Sequence, residues 1–160
     1  PALDKYNNYQ VKLMDKALDI INAELTGIFD NIIRAEAASV SNEYKEKLSM
    51  TEVHTIAAIG TGTLKSMGEV AKALHITVGT LTVAVSNLVK KGYVQRFKSE
   101  KDRRVVRVGL TKQGKEVYHI HEKFHTALTD ALVKDLDNDD MEILVKILSN
   151  LDSFVAQFYD

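Results

Sequence analysis

Helix-start signals recur three times at short intervals between Ser49 and Thr77, and this spacing constrains the fold more than any other feature. Ser49 and Ser66 each precede a glutamate by three positions, which is the pattern of a capping box at a helix N-terminus. Thr77 is a further N-cap, so only His75 and Ile76 remain to form a turn after the second helix. A short helix, a tight turn and a second helix have the spacing of a helix-turn-helix.

The pattern changes after the helix that Thr77 begins and that should end at Gly92. The period of the apolar residues becomes two, as in strands. Residues 93–98 and 105–110 are rich in β-branched and aromatic side chains and flank a charged segment, which predicts a hairpin with a charged tip. Residues 49–111 are therefore predicted to form a winged helix-turn-helix lobe.

Long amphipathic helices are predicted on both sides of this lobe, from about residue 4 to 39, from Thr111 to about 136, and from Asp137 onward. The first and last helices carry apolar stripes that exceed what one small lobe can cover. Residues 1–40 and 112–160 are therefore predicted to form a dimerisation region, the alternative being burial within a monomeric bundle. The predicted fold class is mainly α with a small β-wing, in a single domain.

The charge is divided unevenly along the chain. The total is −1, but residues 77–115 contain ten basic and two acidic residues and so carry +8. A basic centre in an acidic chain indicates a polyanion-binding element, although a solvated charged face would show the same charge.

The helix after Thr77 has an exposed face of small hydroxyls, an amide and a glycine, which suits close approach to base edges in a major groove. In the wing, an arginine would fit an A·T-rich minor groove, with Asp102 orienting it and lysines contacting phosphates. The alternative is a charged tip that only protects an edge strand. The predicted DNA-binding residues are Thr77, Gly79, Thr80, Thr82, Val83, Ser86, Asn87, Lys90, Lys98, Lys101, Asp102, Arg103 and Arg104.

The order of the elements resembles that of the MarR family of winged-helix repressors. The resemblance is carried by Gly92-Tyr93-Val94, by Asp102-Arg103-Arg104-Val105-Val106 and by Leu110-Thr111-Lys112-Gln113-Gly114. It implies a homodimer with intertwined terminal helices, bound to a palindromic operator in double-stranded DNA. It also implies that Arg104 enters the minor groove with Asp102 as its partner.

Residues 76–82 and 119–125 resemble the fatty-acid-synthesis repressor branch of the family. Members of that branch respond to long-chain acyl groups on acyl carrier protein, which implies an acyl effector, free or carrier-bound. A cavity for it could be lined by residues that could equally form the core. The residues are Ile28, Phe29, Ile32, Ile33, Val53, Ile56, His121 and His125.

The stretch from His121 to His125 fits the H-E-x-x-H pattern of zinc enzymes, but no third ligand follows at a recognisable spacing. We therefore expect no enzyme and no cofactor. A zinc-responsive regulator that uses His119, His121, Glu122 and His125 is an alternative, as are histidines that only pack beneath the lobe. A protein-interaction adaptor that does not bind DNA is a further alternative.

The composition excludes several other classes of protein. With no cysteine there can be no disulfide framework, thiolate zinc site or thiol switch. Apolar runs fall far short of the roughly 20 residues that span a bilayer, and polar residues interrupt the N-terminal stretch. We expect a cytoplasmic protein that does not enter the membrane.

Overall fold

The computed structural model describes residues 2–43, 48–98 and 106–158, with side chains from residue 12 onward in the first helix. It is mainly helical with a small β-wing, which confirms the predicted fold class. The chain divides into two compact units, Pro1–Ala38 and Ser39–Asp160. The elements in order are α1 (Ala2–Glu43), α2 (Met50–Ile59), β1 (Lys65–Ser66), α3 (Met67–Ala73), α4 (Val78–Lys90), β2 (Val94–Lys98), β3 (Val106–Leu110), α5 (Lys112–Val133) and α6 (Asn138–Ala156).

The predicted helix starts are confirmed. Capping boxes are formed at Ser49, Ser66 and Asp137, each with the acidic residue three positions later. The hydroxyls of Thr77 and Thr111 accept hydrogen bonds from the amides three residues on, at the starts of α4 and α5. The helix ends were predicted less well, because α1 continues four residues past residue 39 and α5 ends three residues before 136.

The wing has three strands rather than the predicted two. β2 and β3 pair antiparallel, from Val94 opposite Leu110 to Lys98 opposite Val106. The short strand β1 pairs with the other edge of β3, so the order is β1-β3-β2. Two residues are too few to produce a strand period, and for this reason β1 was missed.

The hydrophobic core of the second unit lies between α2, α3, α4, α5 and the sheet. Leu81, Val85 and Leu88 of α4 are fully buried in it, as the helical period predicts. The other buried apolar residues are Val40, Val53, Ile56, Ile59, Val70, Ala71, Tyr93, Val94, Val108 and Val117. α4 is thus held from behind while its opposite face is exposed.

The junction between α4, the wing and α5 depends on two glycines. Gly92 ends α4 with a φ of +82°, in the left-handed region that favours glycine. The Thr111 hydroxyl donates to the Gly92 carbonyl at 2.7 Å and accepts from the Gly114 amide at 3.1 Å. A Cβ on Gly114 would overlap the carbonyl of Tyr93. Glycine at this position therefore lets α5 start directly against the chain that leaves α4.

The terminal helices expose their apolar stripes. α6 has no buried residue, and its exposed apolar side chains are Met141, Ile143, Val145, Ile147, Leu148, Phe154 and Val155, with Phe158 just beyond. On α1 the corresponding residues are Leu13, Met14, Leu18, Ile20, Ile21, Leu25, Ile28, Phe29 and Ile33.

Among the described helices, none alone is long and apolar enough to cross a membrane. α3 and α4 taken together, bent by 106°, are long and apolar enough for a span by length and composition only.

Candidate DNA-binding surface

α4 exposes the face that the sequence predicted. Thr77, Gly79, Thr80 and Thr82 are exposed along its first turns, and Val83 is 64% exposed. Asn87 and Lys90 continue this face toward the C-terminus, and the Ser86 side chain is half-buried among them. The exposed face therefore combines small side chains with one amide and one cation.

The hydroxyl groups of this face are held in fixed positions. The Thr82 hydroxyl donates to the Val78 carbonyl at 2.7 Å, and the Ser86 hydroxyl donates to the Thr82 carbonyl at 2.6 Å. The hydroxyls of Thr77 and Thr80 bond to each other at 2.9 Å. A hydroxyl that donates to the backbone can still accept through its lone pairs, so Thr82 and Ser86 present acceptors and Thr82 adds a methyl group.

Arg96 brings a further cation to this surface. Its Nη2 donates to the Ser86 hydroxyl oxygen at 2.8 Å, which places the guanidinium of β2 beside the exposed face of α4. Arg96 was not among the predicted residues. Alternation along a strand puts it on the same side as the buried Val94, which contacts the core beneath α4, and this register was the signal that could have identified it.

Two open hollows lie on either side of the first turns of α4. One, of about 500 Å³, lies toward α2 and is lined by Ser49, Thr51, Glu52, Thr80, Val83, Ala84 and Asn87. The other, of about 530 Å³, lies toward α3 and is lined by Ala71, Lys72, His75, Ile76, Thr77 and Thr80. The start of α4 therefore stands out from its neighbours, as an element that enters a groove must.

Not every cation of the basic segment faces this surface. Lys91 Nζ bonds to both carboxylate oxygens of Glu52, at 2.8 Å each, and Glu52 also accepts from the Ser49 amide. Burial alone would raise the pKa of Glu52, but the hydrogen bonds from Lys91 and Ser49 and the charge of Lys91 outweigh it and lower the pKa. Arg107, whose charge could contact phosphate, donates to the Leu64 carbonyl at 2.9 Å. Lys91 and Arg107 therefore hold the lobe together.

Four of the predicted DNA-binding residues belong to the tip of the wing and lie outside the described residues, so their roles stay predictions: Lys101, Asp102, Arg103 and Arg104. Lys98 is the last described residue of β2 and is exposed.

The residues predicted to line an acyl cavity are divided between the two units. Val53 and Ile56 are 1% and 0% exposed in the core of the second unit. On α1, Ile28, Phe29 and Ile33 are exposed and Ile32 is half-buried. His121 and His125 belong to α5. The cavity itself stays a prediction.

The predicted histidine set is brought together in part. The Nε2 atoms of His121 and His125 lie 3.2 Å apart, whereas His119 is exposed with its ring against Tyr118. His54 of α2 lies beside His121, with the centroids of the two rings 5.9 Å apart. Nothing in the sequence pattern indicated His54, since α2 and α5 are far apart along the chain.

Comparison with known proteins gives consistent matches. Residues 48–106 match the MarR family. Streptococcus pneumoniae FabT, solved in complex with DNA, is 35% identical with a TM-score of 0.78, over 86% of this chain and 96% of that one. The HTH-type transcriptional regulator YpoP of Bacillus subtilis is 26% identical over 77% of this chain and 90% of its own length. SarZ of Staphylococcus aureus is 32% identical over 61% of this chain and 60% of its own.

Proposed function

Because the chain belongs to the MarR family of winged helix-turn-helix DNA-binding transcriptional regulators, we propose that it is a homodimeric repressor of fatty-acid-synthesis genes. The family consists of regulators and not enzymes, so the H-E-x-x-H stretch needs no catalytic role. The repressor acts in the cytoplasm on a palindromic operator and responds to a long-chain acyl ligand, free or bound to acyl carrier protein.

The exposed face of α4 is the observation that carries sequence-specific binding. A core face anchors the helix rigidly, while Thr80, Val83 and Asn87 can approach base edges. Threonine and valine methyl groups suit thymine, and asparagine suits adenine. Lys90 and Arg96, at the edge of this face, supply charge for phosphates, which fix the position of the protein without reading sequence. In this proposal Arg104 of the wing enters the flanking minor groove.

The apolar stripe of α6 supports the homodimer. α6 has 19 residues and no buried side chain, so its apolar surface contributes no hydrophobic stabilisation until another surface covers it. A second copy covers the stripe in our proposal, with the terminal helices of both chains paired. Two-fold symmetry then sets two copies of α4 about 34 Å apart, one turn of DNA, so that they read a palindrome.

The link to fatty-acid synthesis is supported by similarity to FabT over most of both chains. The segments 76–82 and 119–125 that resemble the fatty-acid branch lie at the start of α4 and within α5. An acyl ligand would act by population shift, binding one arrangement of the two α4 helices more tightly than the other.

The proposal is tested by fluorescence anisotropy with DNA from upstream of fatty-acid-synthesis genes and of the chain's own gene. We expect tight binding to DNA that contains a palindrome from these regions. Its affinity should change when acyl carrier protein loaded with a long acyl chain is added and should not change with the carrier that has no acyl group. Binding to a palindrome elsewhere, or no response to acyl groups, would contradict the fatty-acid assignment while leaving DNA binding intact. No binding to any palindromic DNA would contradict repression itself.

A further inference from the structure

Ser86 lies at one border of the exposed face of α4, the border next to the wing. Thr80 and Asn87 lie at the opposite border, where they line the hollow toward α2. The Ser86 side chain is half-buried, and its hydroxyl forms hydrogen bonds with one group on α4 and one on β2. This hydroxyl therefore joins the exposed face of α4 to the wing.

The hydrogen-bonding capacity of the Ser86 hydroxyl is largely used within the protein. The hydroxyl donates its one proton to the Thr82 carbonyl at 2.6 Å, so toward any other group it can act only as an acceptor. Arg96 Nη2 donates to the same oxygen at 2.8 Å and occupies one of its two lone pairs. The geometry therefore favours a role for Ser86 through Arg96 over direct contact with a base.

The backbone of Arg96 is fixed relative to α4. The Tyr93 amide donates to the Leu88 carbonyl at 2.9 Å, so the chain enters β2 directly from the last turn of α4. Arg96 pairs with Val108 of β3, and Val108 is fully buried in the core of the second unit. The sheet thus holds the base of the arginine side chain, and only its long end needs a further anchor.

An anchored guanidinium can bind phosphate at a lower entropic cost than a mobile one. A long side chain loses rotamer freedom when an interface immobilises it, and this loss opposes binding. Because Ser86 holds Arg96 before DNA arrives, less of that freedom is lost on binding. Arginine has five N–H donors in a planar fork, and the bond to Ser86 uses one of them. The others can reach the oxygens of a phosphate.

We propose that Ser86 is a positioning residue for DNA binding. It holds the Arg96 guanidinium at the border of α4 for a phosphate of the DNA backbone beside the major groove, and it does not itself read a base. Ser86 then changes the affinity for DNA only through Arg96. This inference rests on the DNA binding in the proposed function, but not on the acyl ligand or on the genes that are controlled.

The test is a double-mutant cycle on the affinity for a palindromic DNA that the unchanged protein selects from a random pool, measured by fluorescence anisotropy. Ser86→Ala should weaken binding by about two- to tenfold, the loss expected when one long side chain must be ordered on binding. In the Arg96→Ala background the same substitution should have no effect, because the group that Ser86 positions is absent. Alanine favours helix, so Ser86→Ala should fold, which circular dichroism checks.

Thr82→Ala is the matched control. Thr82 lies one turn earlier at the same border and also donates its hydroxyl to a carbonyl four residues back, that of Val78, whereas the contact with Arg96 is made by Ser86. The effect of Thr82→Ala on affinity should therefore be the same with and without Arg96.

A second measurement needs no DNA. NMR of the isotope-labelled guanidinium should show slower rotation about the Cζ–Nη bonds of Arg96 in the unchanged protein than in Ser86→Ala, because the hydrogen bond to Ser86 restrains it.

The proposal is overturned if Ser86→Ala leaves affinity unchanged, or if it weakens binding equally in both backgrounds, as direct contact with a base would. It is also overturned if Thr82 is coupled to Arg96 as strongly as Ser86 is, or if the Arg96 guanidinium rotates equally fast with and without Ser86. Each of these results would leave DNA binding by the unchanged protein intact. An unchanged protein that selects no palindromic DNA would instead contradict the proposed repressor, and this inference with it.

Discussion

At the scale of single residues, the helical period was enough to predict which side chains of α4 face outward. Leu81, Val85 and Leu88 repeat at helical spacing and are buried, so the exposed face of α4 had to be the opposite one. Arg96 and His54 could not be found in this way. Arg96 contacts α4 and His54 contacts α5, and both contacts form only when segments that are distant in the sequence pack together.

Arg96 is expected to contribute to DNA binding because its guanidinium lies at Ser86 on the exposed face. Arg96→Ala should weaken operator affinity by about 1–3 kcal/mol with little change in melting temperature. Lys146→Ala, which removes one positive charge from α6, is the control and should leave affinity unchanged. Equal affinity of Arg96→Ala and the unchanged protein, measured by anisotropy, would remove Arg96 from the interface.

At the scale of elements, the starts of helices were predictable and their ends were not. Capping depends on side chains within three residues, as at Ser49, Ser66 and Asp137, so the signal is local. The end of α5 carries no glycine or proline signal, and β1 exists only because β3 is available to pair with it.

The start of α5 should tolerate no side chain at Gly114, because a Cβ there would overlap the Tyr93 carbonyl. Gly114→Ala is expected to lower the free energy of unfolding by about 1–3 kcal/mol in urea denaturation. Gly68 in α3 has open space around its Cβ position, so Gly68→Ala should be neutral or slightly stabilising. If both variants unfold at the same urea concentration, the backbone of Gly114 does not lie as close to the Tyr93 carbonyl as the structure has it.

The ion pair between Glu52 of α2 and Lys91 at the end of α4 should make the free energy of unfolding depend on pH in the acid range. The pKa of Glu52 is lowered from 4.5, so its ionised form stabilises the folded chain above the unfolded pKa. That stability is lost as the pH falls below about 4.5 through the folded pKa. Glu52→Gln and Lys91→Met should each reduce the change in free energy of unfolding between neutral and acid pH, measured by urea titration. An unchanged pH dependence in both variants would show that the pair contributes nothing.

At the scale of the whole molecule, the winged lobe was predictable as a unit, whereas the oligomeric state was not settled by the apolar stripes alone. A stripe at helical spacing has the same pattern whether it faces its own chain or another. In the structure α6 has no buried residue, so its apolar side chains are exposed in a single copy of the chain.

A homodimer through this stripe should be sensitive to charge at its centre. Ile147 is 55% exposed, and Ile147→Lys is expected to shift the chain from dimer to monomer in sedimentation velocity, because it would bury an unpaired charge. Ser149→Lys, on the opposite face of α6, should remain dimeric. A monomeric unchanged protein, or dimers of equal stability in both variants, would contradict the proposed interface.

The central claim is that α4 reads an operator sequence, and it is tested most directly by comparing affinities for operator and scrambled DNA. We expect the unchanged protein to prefer the operator by about a thousandfold or more. Asn87→Ala should reduce this ratio, because it removes a base-reading amide, whereas Lys90→Ala should weaken both affinities equally and lower the salt slope by about one. Equal affinity of the unchanged protein for both DNAs, or a ratio that Asn87→Ala leaves unaltered, would contradict the account.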